Sequence, residues 1–188
     1  MLMDPLSEQA RFVFVGEVGA GKTTAISTLS EQSIMSMDVP LSEEIHVEGK
    51  LTTTVGFDFT VLQIGDTPLF LYGTPGQDRF RFVADNLISG ALGAVLLVNV
   101  SAPNALETCR QWLDLLATSE RPLQVVIALN RMSLSGPSLA EFRREKSRGN
   151  LRILAVQGAD PRSRSEMLTC LRLLTLRAMD AAALPSDS

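Results

Sequence analysis

Histidine is nearly absent: the 188-residue chain carries one, His46. It lies in a polar stretch beside Glu43, Glu44 and Glu48 and reads as a surface residue. No Ser-His-Asp arrangement can be assembled, and no paired-carboxylate site stands out. Cysteine is scarce too. Cys109 and Cys170 sit in helical apolar patterns and read as small core residues. Two isolated thiols offer no metal-site spacing and fit a reducing compartment. No apolar run is long enough to span a bilayer, and the opening residues lack the charged-then-apolar order of a signal peptide. The tail "ALPSDS" holds no prenylation box, and Met1-Leu2 is no myristoylation start. Together these absences predict a cytoplasmic protein with no direct membrane anchor. Positive charge is not in excess. The net charge of −4 argues against general nucleic-acid binding. Nine of the 17 basic residues do lie between Arg143 and Arg177, and they read as solvated faces of the last helices.

Hydrophobic residues make up 45% and charged residues 20%, an ordinary globular balance for one domain over 1–188, with an ordered core at about 11–182. No repeat or linker divides the chain. Short apolar runs alternate with helical patterns. "RFVFV", "ALGAVLLVNV", "LQVVIAL" and "LRILAV" read as buried strands. "TVGFDFTVLQI" and "PLFLYG" flank "GDT", a hairpin signal. "IMSMDVPLSEEIHVEGKL" reads as a polar connection. Helices are predicted from Gly21 to about Ser30, from about Asn104 to Ser119, around "SLAEFRREK", and from about Ser163 to Ala182. Apolar strands alternating with helices indicate an α/β fold with a mostly parallel sheet covered on both faces. The hairpin adds one antiparallel edge strand. Six strands and five helices are expected, with any ligand at the carboxyl ends of the strands.

"GEVGAGKT", Gly16 to Thr23, matches G-x-x-x-x-G-K-[ST] between a predicted strand and a predicted helix. That context makes it a P-loop. Its backbone N–H groups can wrap a β-phosphate, and the helix N-terminus adds positive potential. Gly16, Glu17, Val18, Gly19, Ala20, Gly21, Lys22, Thr23 and Thr24 are therefore nucleotide-binding candidates. Lys22 is expected to reach the β- and γ-phosphates. The Thr23 hydroxyl is expected to ligate Mg²⁺.

"TTTVGFDF", Thr52 to Phe59, precedes the hairpin, and "GTPGQDRF" follows it. A threonine before the first strand and Pro-Gly-Gln after the second is the layout of a two-switch GTPase. The threonine can bind Mg²⁺ and the γ-phosphate, the Gly76 N–H can bind the γ-phosphate, and Gln77 can orient water. Loss of the γ-phosphate would release both segments.

With these motifs the chain resembles the prokaryotic Ras-like small GTPases, especially the bacterial group near the gliding-motility GTPase MglA and the streptomycete conservon GTPases. The resemblance covers about Phe12 to Ala178. It implies a six-stranded sheet, GTP and GDP as ligands, Mg²⁺ as cofactor, switch behaviour and a small dimeric Roadblock-type partner. It implies Thr54 as the switch threonine, with Thr53 second, Gly76 as the γ-phosphate glycine, and Gln77 and Lys22 as the catalytic pair. Thr23 and Thr54 would be the metal ligands.

The chain departs from that pattern in several places. Gly73 stands where Ras has an Asp that holds Mg²⁺ through water, and the bacterial group often replaces that Asp. Asp58 is a conceivable substitute, which the strand pattern points elsewhere. Val18 stands where Ras has Gly and crowds the γ-phosphate, which implies slow hydrolysis. Arg79 and Arg81 read as surface residues. After "LQVVIAL" the family expects N-K-x-D, and this chain has Asn130, Arg131, Met132 and Ser133. Asn130 matches and can brace the P-loop. Arg131 can stack on the base. Ser133 lacks the carboxylate that accepts from guanine, a loss of about 2–4 kcal/mol of selection. The last base loop falls at Gln157–Asp160, where Gly158 and Ala159 are candidates, the Ala159 N–H facing guanine O6. Asp160 replaces a basic residue and can take over recognition of N1–H. A slow GTPase switch is the leading reading. A nucleotide-binding module without hydrolysis, or a P-loop NTPase of altered base specificity, are the alternatives.

Overall fold

A computed structural model describes residues 10–30, 35–40, 54–75, 81–132 and 136–183, without side chains at 35–40, 54–56, 81–83 and 177–183. Switch residues Thr53, Gly76, Gln77 and Arg79, together with His46 and Ser133, lie outside them. Of Thr54 and Arg81 only the backbone is described.

The strands are β1 (Ala10–Val15), β2 (Met35–Pro40), β3 (Thr54–Ile64), β4 (Thr67–Gly73), β5 (Gly93–Asn99), β6 (Leu123–Asn130) and β7 (Leu151–Gly158). The helices are α1 (Lys22–Leu29), α2 (Arg81–Ser89), α3 (Ala105–Leu116), α4 (Leu139–Phe142) and α5 (Arg164–Ala183). They build one sheet in the order β2-β3-β4-β1-β5-β6-β7. β4, β1, β5, β6 and β7 run parallel, and β3 runs antiparallel to β4. The six expected strands are all present in the expected mixed arrangement. A seventh, β2, lies inside the stretch read as a polar connection and pairs antiparallel with β3, from Met35 opposite Phe59 to Pro40 opposite Thr54. β3 is therefore not the sheet edge. The pattern "MSMDVP" is short and ends in Pro, which edge strands tolerate because one side makes no ladder.

Alternation along β1 divides the core. Phe12 and Phe14 face α1 and α5, packing with Ile26, Leu29, Met167 and Leu171. Val13 and Val15 face the other layer, with Ile88, Cys109, Leu113 and Phe142. Both cysteines are buried and free, as their helical spacing implied. β1 is central because both its faces are covered. Its carboxyl end therefore opens at the middle of the sheet edge, where the chain turns into the glycine-rich loop and α1.

Candidate nucleotide site

The loop from Gly16 to Gly21 needs its glycines for two different reasons. Gly16 has φ 140°, and a Cβ there would lie 2.3 Å from the Leu97 carbonyl oxygen on β5. Gly21 has φ 110° at the N-terminus of α1, and a Cβ would lie 2.7 Å from Pro161. Gly19, at φ 79°, faces open space. The loop is thus packed tightly beneath and open above, a concavity that backbone N–H groups can line.

Lys22 opens α1 and is only 8% exposed. Its Nζ donates to the carbonyls of Gly16 and Glu17, each at 2.7 Å. Burial pushes its pKa from 10.5 down to about 8, against the opposing pull of the Asp58 and Glu17 carboxylates. A buried ammonium held by two carbonyls is a cation kept over the loop, and a phosphate would complete its shell. Val18 is 64% exposed and stands on the open side of the loop. Thr23 and Thr24 are exposed on the first turn of α1.

The Thr23 hydroxyl donates to Asp58 Oδ2 at 2.6 Å. Asp58 lies on β3 directly opposite Gly73 on β4. A Cβ on Gly73 would lie 3.2 Å from Asp58 Cβ and 3.3 Å from its Oδ2. The space a side chain at 73 would take is therefore held by the Asp58 carboxylate. The expectation that Asp58 points elsewhere is wrong. Asp58, Thr60 and Leu62 of β3 lie on the side of α1, with Thr60 and Leu62 buried. Phe57 and Phe59 lie with Tyr72 and Phe70 in an aromatic cluster, in which Phe59 lies 5.0 Å from Tyr72 and 6.3 Å from Phe70, ring centre to ring centre.

The ends of β6 and β7 meet the same loop. Asn130 is 8% exposed, and its Nδ2 donates to the Ala20 carbonyl at 3.1 Å, the brace its position implied. Arg131 follows at φ 53°, exposed, with its carbonyl accepting from Ser101 Oγ at 2.9 Å. Met132 lies beside Gly158, whose added Cβ would touch its sulfur at 3.2 Å. The two candidate base loops are thus side by side. Two groups expected at the base are engaged within the protein in this structure. The Ala159 N–H donates to the Leu129 carbonyl at 2.9 Å, continuing the β6–β7 pairing. The Asp160 carboxylate also has a partner within the turn. Arg162 holds it, Nη2 to Oδ2 at 2.7 Å, and that hydrogen bonding lowers its pKa to about 2. The signal for this, Arg162 two residues beyond Asp160, was in the sequence.

The family model "Conserved hypothetical ATP binding protein" matches residues 34–179, beginning after the glycine-rich loop. Ras-related protein RABA6b of Arabidopsis thaliana is 27% identical over 67% of this chain and 51% of its own length. Ras-related protein Rab11E of Lotus japonicus is 26% identical over 95% of the chain and 82% of its own. Intraflagellar transport protein 27 of Chlamydomonas reinhardtii is 28% identical over 67% of the chain and 61% of its own. The chain spans about half the length of the first of these relatives. These similarities and the strand order place it among P-loop proteins of the Ras-like class, while the bacterial subgroup finds no support in these relatives. The chain belongs to the family of conserved hypothetical ATP binding proteins.

Proposed function

We propose that this chain is a Ras-like nucleotide switch that binds GTP and GDP with Mg²⁺ and hydrolyses GTP slowly. The observation that carries the reading is the convergence of Lys22, Thr23 and Asp58 at the open side of the glycine-rich loop. Lys22 would turn its ammonium from the loop carbonyls toward the β- and γ-phosphates. The loop amides would hold the β-phosphate at the N-terminus of α1.

Mg²⁺ fits the donors present. A hydroxyl and a carboxylate at 2.6 Å are hard oxygen groups suited to this ion. Thr23 and Thr54 would ligate it, and Asp58 would replace the carboxylate that Gly73 lacks, orienting Thr23 or a bound water. When bound, the ion neutralises charge on the phosphate oxygens. Gly76 would contact the γ-phosphate and Gln77 would orient the attacking water. Val18, beside the γ-phosphate, would slow that step.

The finer family placement and the partner are also proposals. "TPGQDRF" and "TTTVGFDF" support the MglA-like bacterial group and a Roadblock-type dimeric regulator that reads the switch segments. Among the described residues no helix is long and apolar enough to cross a membrane; a cytoplasmic location is part of the proposal. The test is a titration of nucleotide-free protein with GTP, GDP and ATP, with and without Mg²⁺, repeated on Lys22→Ala. Mg²⁺-strengthened binding that is lost in the variant is expected. Unchanged affinity in Lys22→Ala would remove the phosphate-loop assignment.

A further inference from the structure

β7 ends the sheet: it pairs with β6 on one side and, among the described residues, with no strand on the other. Such an edge presents backbone N–H and C=O groups to any chain that can pair with them. The register says which residues present them. The Ala159 N–H donates to Leu129 O at 2.9 Å, so the backbone at 159 faces β6. Alternation along the strand turns Gln157 and Ala155 the same way and turns Val156 outward. A bulge places Ile153 opposite Val125 and Ala155 opposite Val126, so Leu154 has no opposite residue on β6.

The loop before β7 covers only the first part of this edge. The Leu151 N–H donates to Arg148 O at 2.9 Å, and the Ile153 N–H donates to Ser147 Oγ at 3.0 Å. Beside the next residues a groove of about 280 Å³ lies between the loop and Ile153–Val156. Residues 153–157 are all half-buried, whereas β6 is buried at every position but one. Both faces of the strand are held. Ile153 and Val156 pack against the core that contains Phe142, and Leu154 and Ala155 against the core that contains Met167. What stays open is therefore the edge.

Charge sets what fits there. Arg143 and Lys146 stand exposed on the loop side of the groove. Glu145 is also in the groove, but its carboxylate accepts Arg110 Nε at 2.9 Å and Arg148 Nη2 at 3.1 Å, and its side chain is 8% exposed. The accessible charge is thus positive. A second copy of this chain pairing edge to edge would bring the same cations together, whereas a segment rich in Asp and Glu would neutralise them.

We propose that the β7 edge takes an extended, acidic segment of another protein as an added strand, its backbone pairing at Val156 and its carboxylates meeting Arg143 and Lys146. The proposal is independent of the nucleotide reading, because β3, β4 and the phosphate loop lie away from this edge, with β5 and β6 between β1 and β7.

The test uses the full chain and a fluorescent ten-residue peptide of alternating valine and glutamate. Two controls accompany it. One replaces glutamate with lysine. The other is N-methylated throughout, keeping the carboxylates but having no N–H to donate. Binding of the first peptide is expected, weakening as salt rises, with each control at least about tenfold weaker. Arg143→Glu combined with Lys146→Glu is expected to lose about tenfold or more. Val156→Pro removes the outward N–H without removing a β6–β7 rung, a change that sheet edges tolerate, and is expected to lose binding while a thermal melt shows the fold kept. Should that variant not fold, the N-methylated peptide decides the same point. No binding of the valine–glutamate peptide overturns the proposal. Equal binding of its N-methylated form also overturns it, leaving charge alone. Capture of phosphatidylserine vesicles through Arg143 and Lys146 without peptide binding would make the patch a membrane contact and overturn it. So would a dimer in sedimentation that Val156→Pro dissolves, which would make the occupant a second copy.

Discussion

The Asp58 carboxylate accepts a hydrogen bond from the Thr23 hydroxyl at 2.6 Å, from a strand position directly opposite Gly73. One side of the phosphate loop thus receives an anion from β3 where the neighbouring strand, β4, has none to give. Removing it should weaken the metal more than the nucleotide. Asp58→Ala is expected to cost about 10- to 100-fold in Mg²⁺ affinity of the nucleotide complex, the usual effect of losing a group that orients a ligand. Mg²⁺ titration of the GTP-loaded protein measures it. Nucleotide affinity in EDTA should move little.

Asn130 ties the end of β6 to the loop through Ala20 O. In Asn130→Ala that carbonyl loses its buried donor, at a cost of about 1–3 kcal/mol. Urea denaturation of the nucleotide-free variant should show the lowered midpoint. Nucleotide release, followed by a fluorescent analogue, should also quicken.

Gly16 and Gly19 predict unequal costs for the same change. A Cβ at 16 would strike Leu97 O at 2.3 Å, whereas a Cβ at 19 meets nothing within 4 Å. Gly19→Ala carries only the strain of a left-handed backbone, about 1–2 kcal/mol. Gly16→Ala adds a backbone collision and should lose clearly more. Paired thermal melts of the two variants give the comparison, and equal losses would contradict the packing described.

The thiols should be silent in the native protein. Burial pushes Cys109 up to about 12 and Cys170 up to about 11. The sign is simple: the reactive thiolate appears only as pH rises toward those values. At pH 8.5 the thiolate of Cys109 is then about one part in several thousand. A disulfide reagent should label neither cysteine at that pH and both in denaturant.

Much of the fold was legible because its strands are continuous apolar runs. "LQVVIAL" reads as a strand buried on both faces, and β6 is that strand. The spacing of Cys109, Leu113 and Leu116 gave the buried face of α3. β2 was hidden because an edge strand needs little apolar character, and Met35–Pro40 sits in a polar stretch. Asp58 was misread for a related reason. The alternation in "TVGFDF" shows which residues share a face but not which face meets a helix, and α1 lies on the side of Asp58, Thr60 and Leu62. The base loops carried a different difficulty. Residue types indicated which groups stand there, but not that Leu129, Glu166 and Arg162 already occupy them.

The central claim is that Asp58 stands in for a carboxylate at position 73, and exchanging the two positions tests it most directly. GTP affinity with and without Mg²⁺ would be measured by calorimetry for Asp58→Gly, Gly73→Asp and the double variant. The account predicts that Asp58→Gly loses the Mg²⁺ enhancement. Gly73→Asp is expected to crowd a second carboxylate against the first, whose Cβ lies 3.2 Å from the new one. The double variant, with one carboxylate again in the shared space, is expected to regain the enhancement. A full Mg²⁺ effect in Asp58→Gly alone would contradict the account.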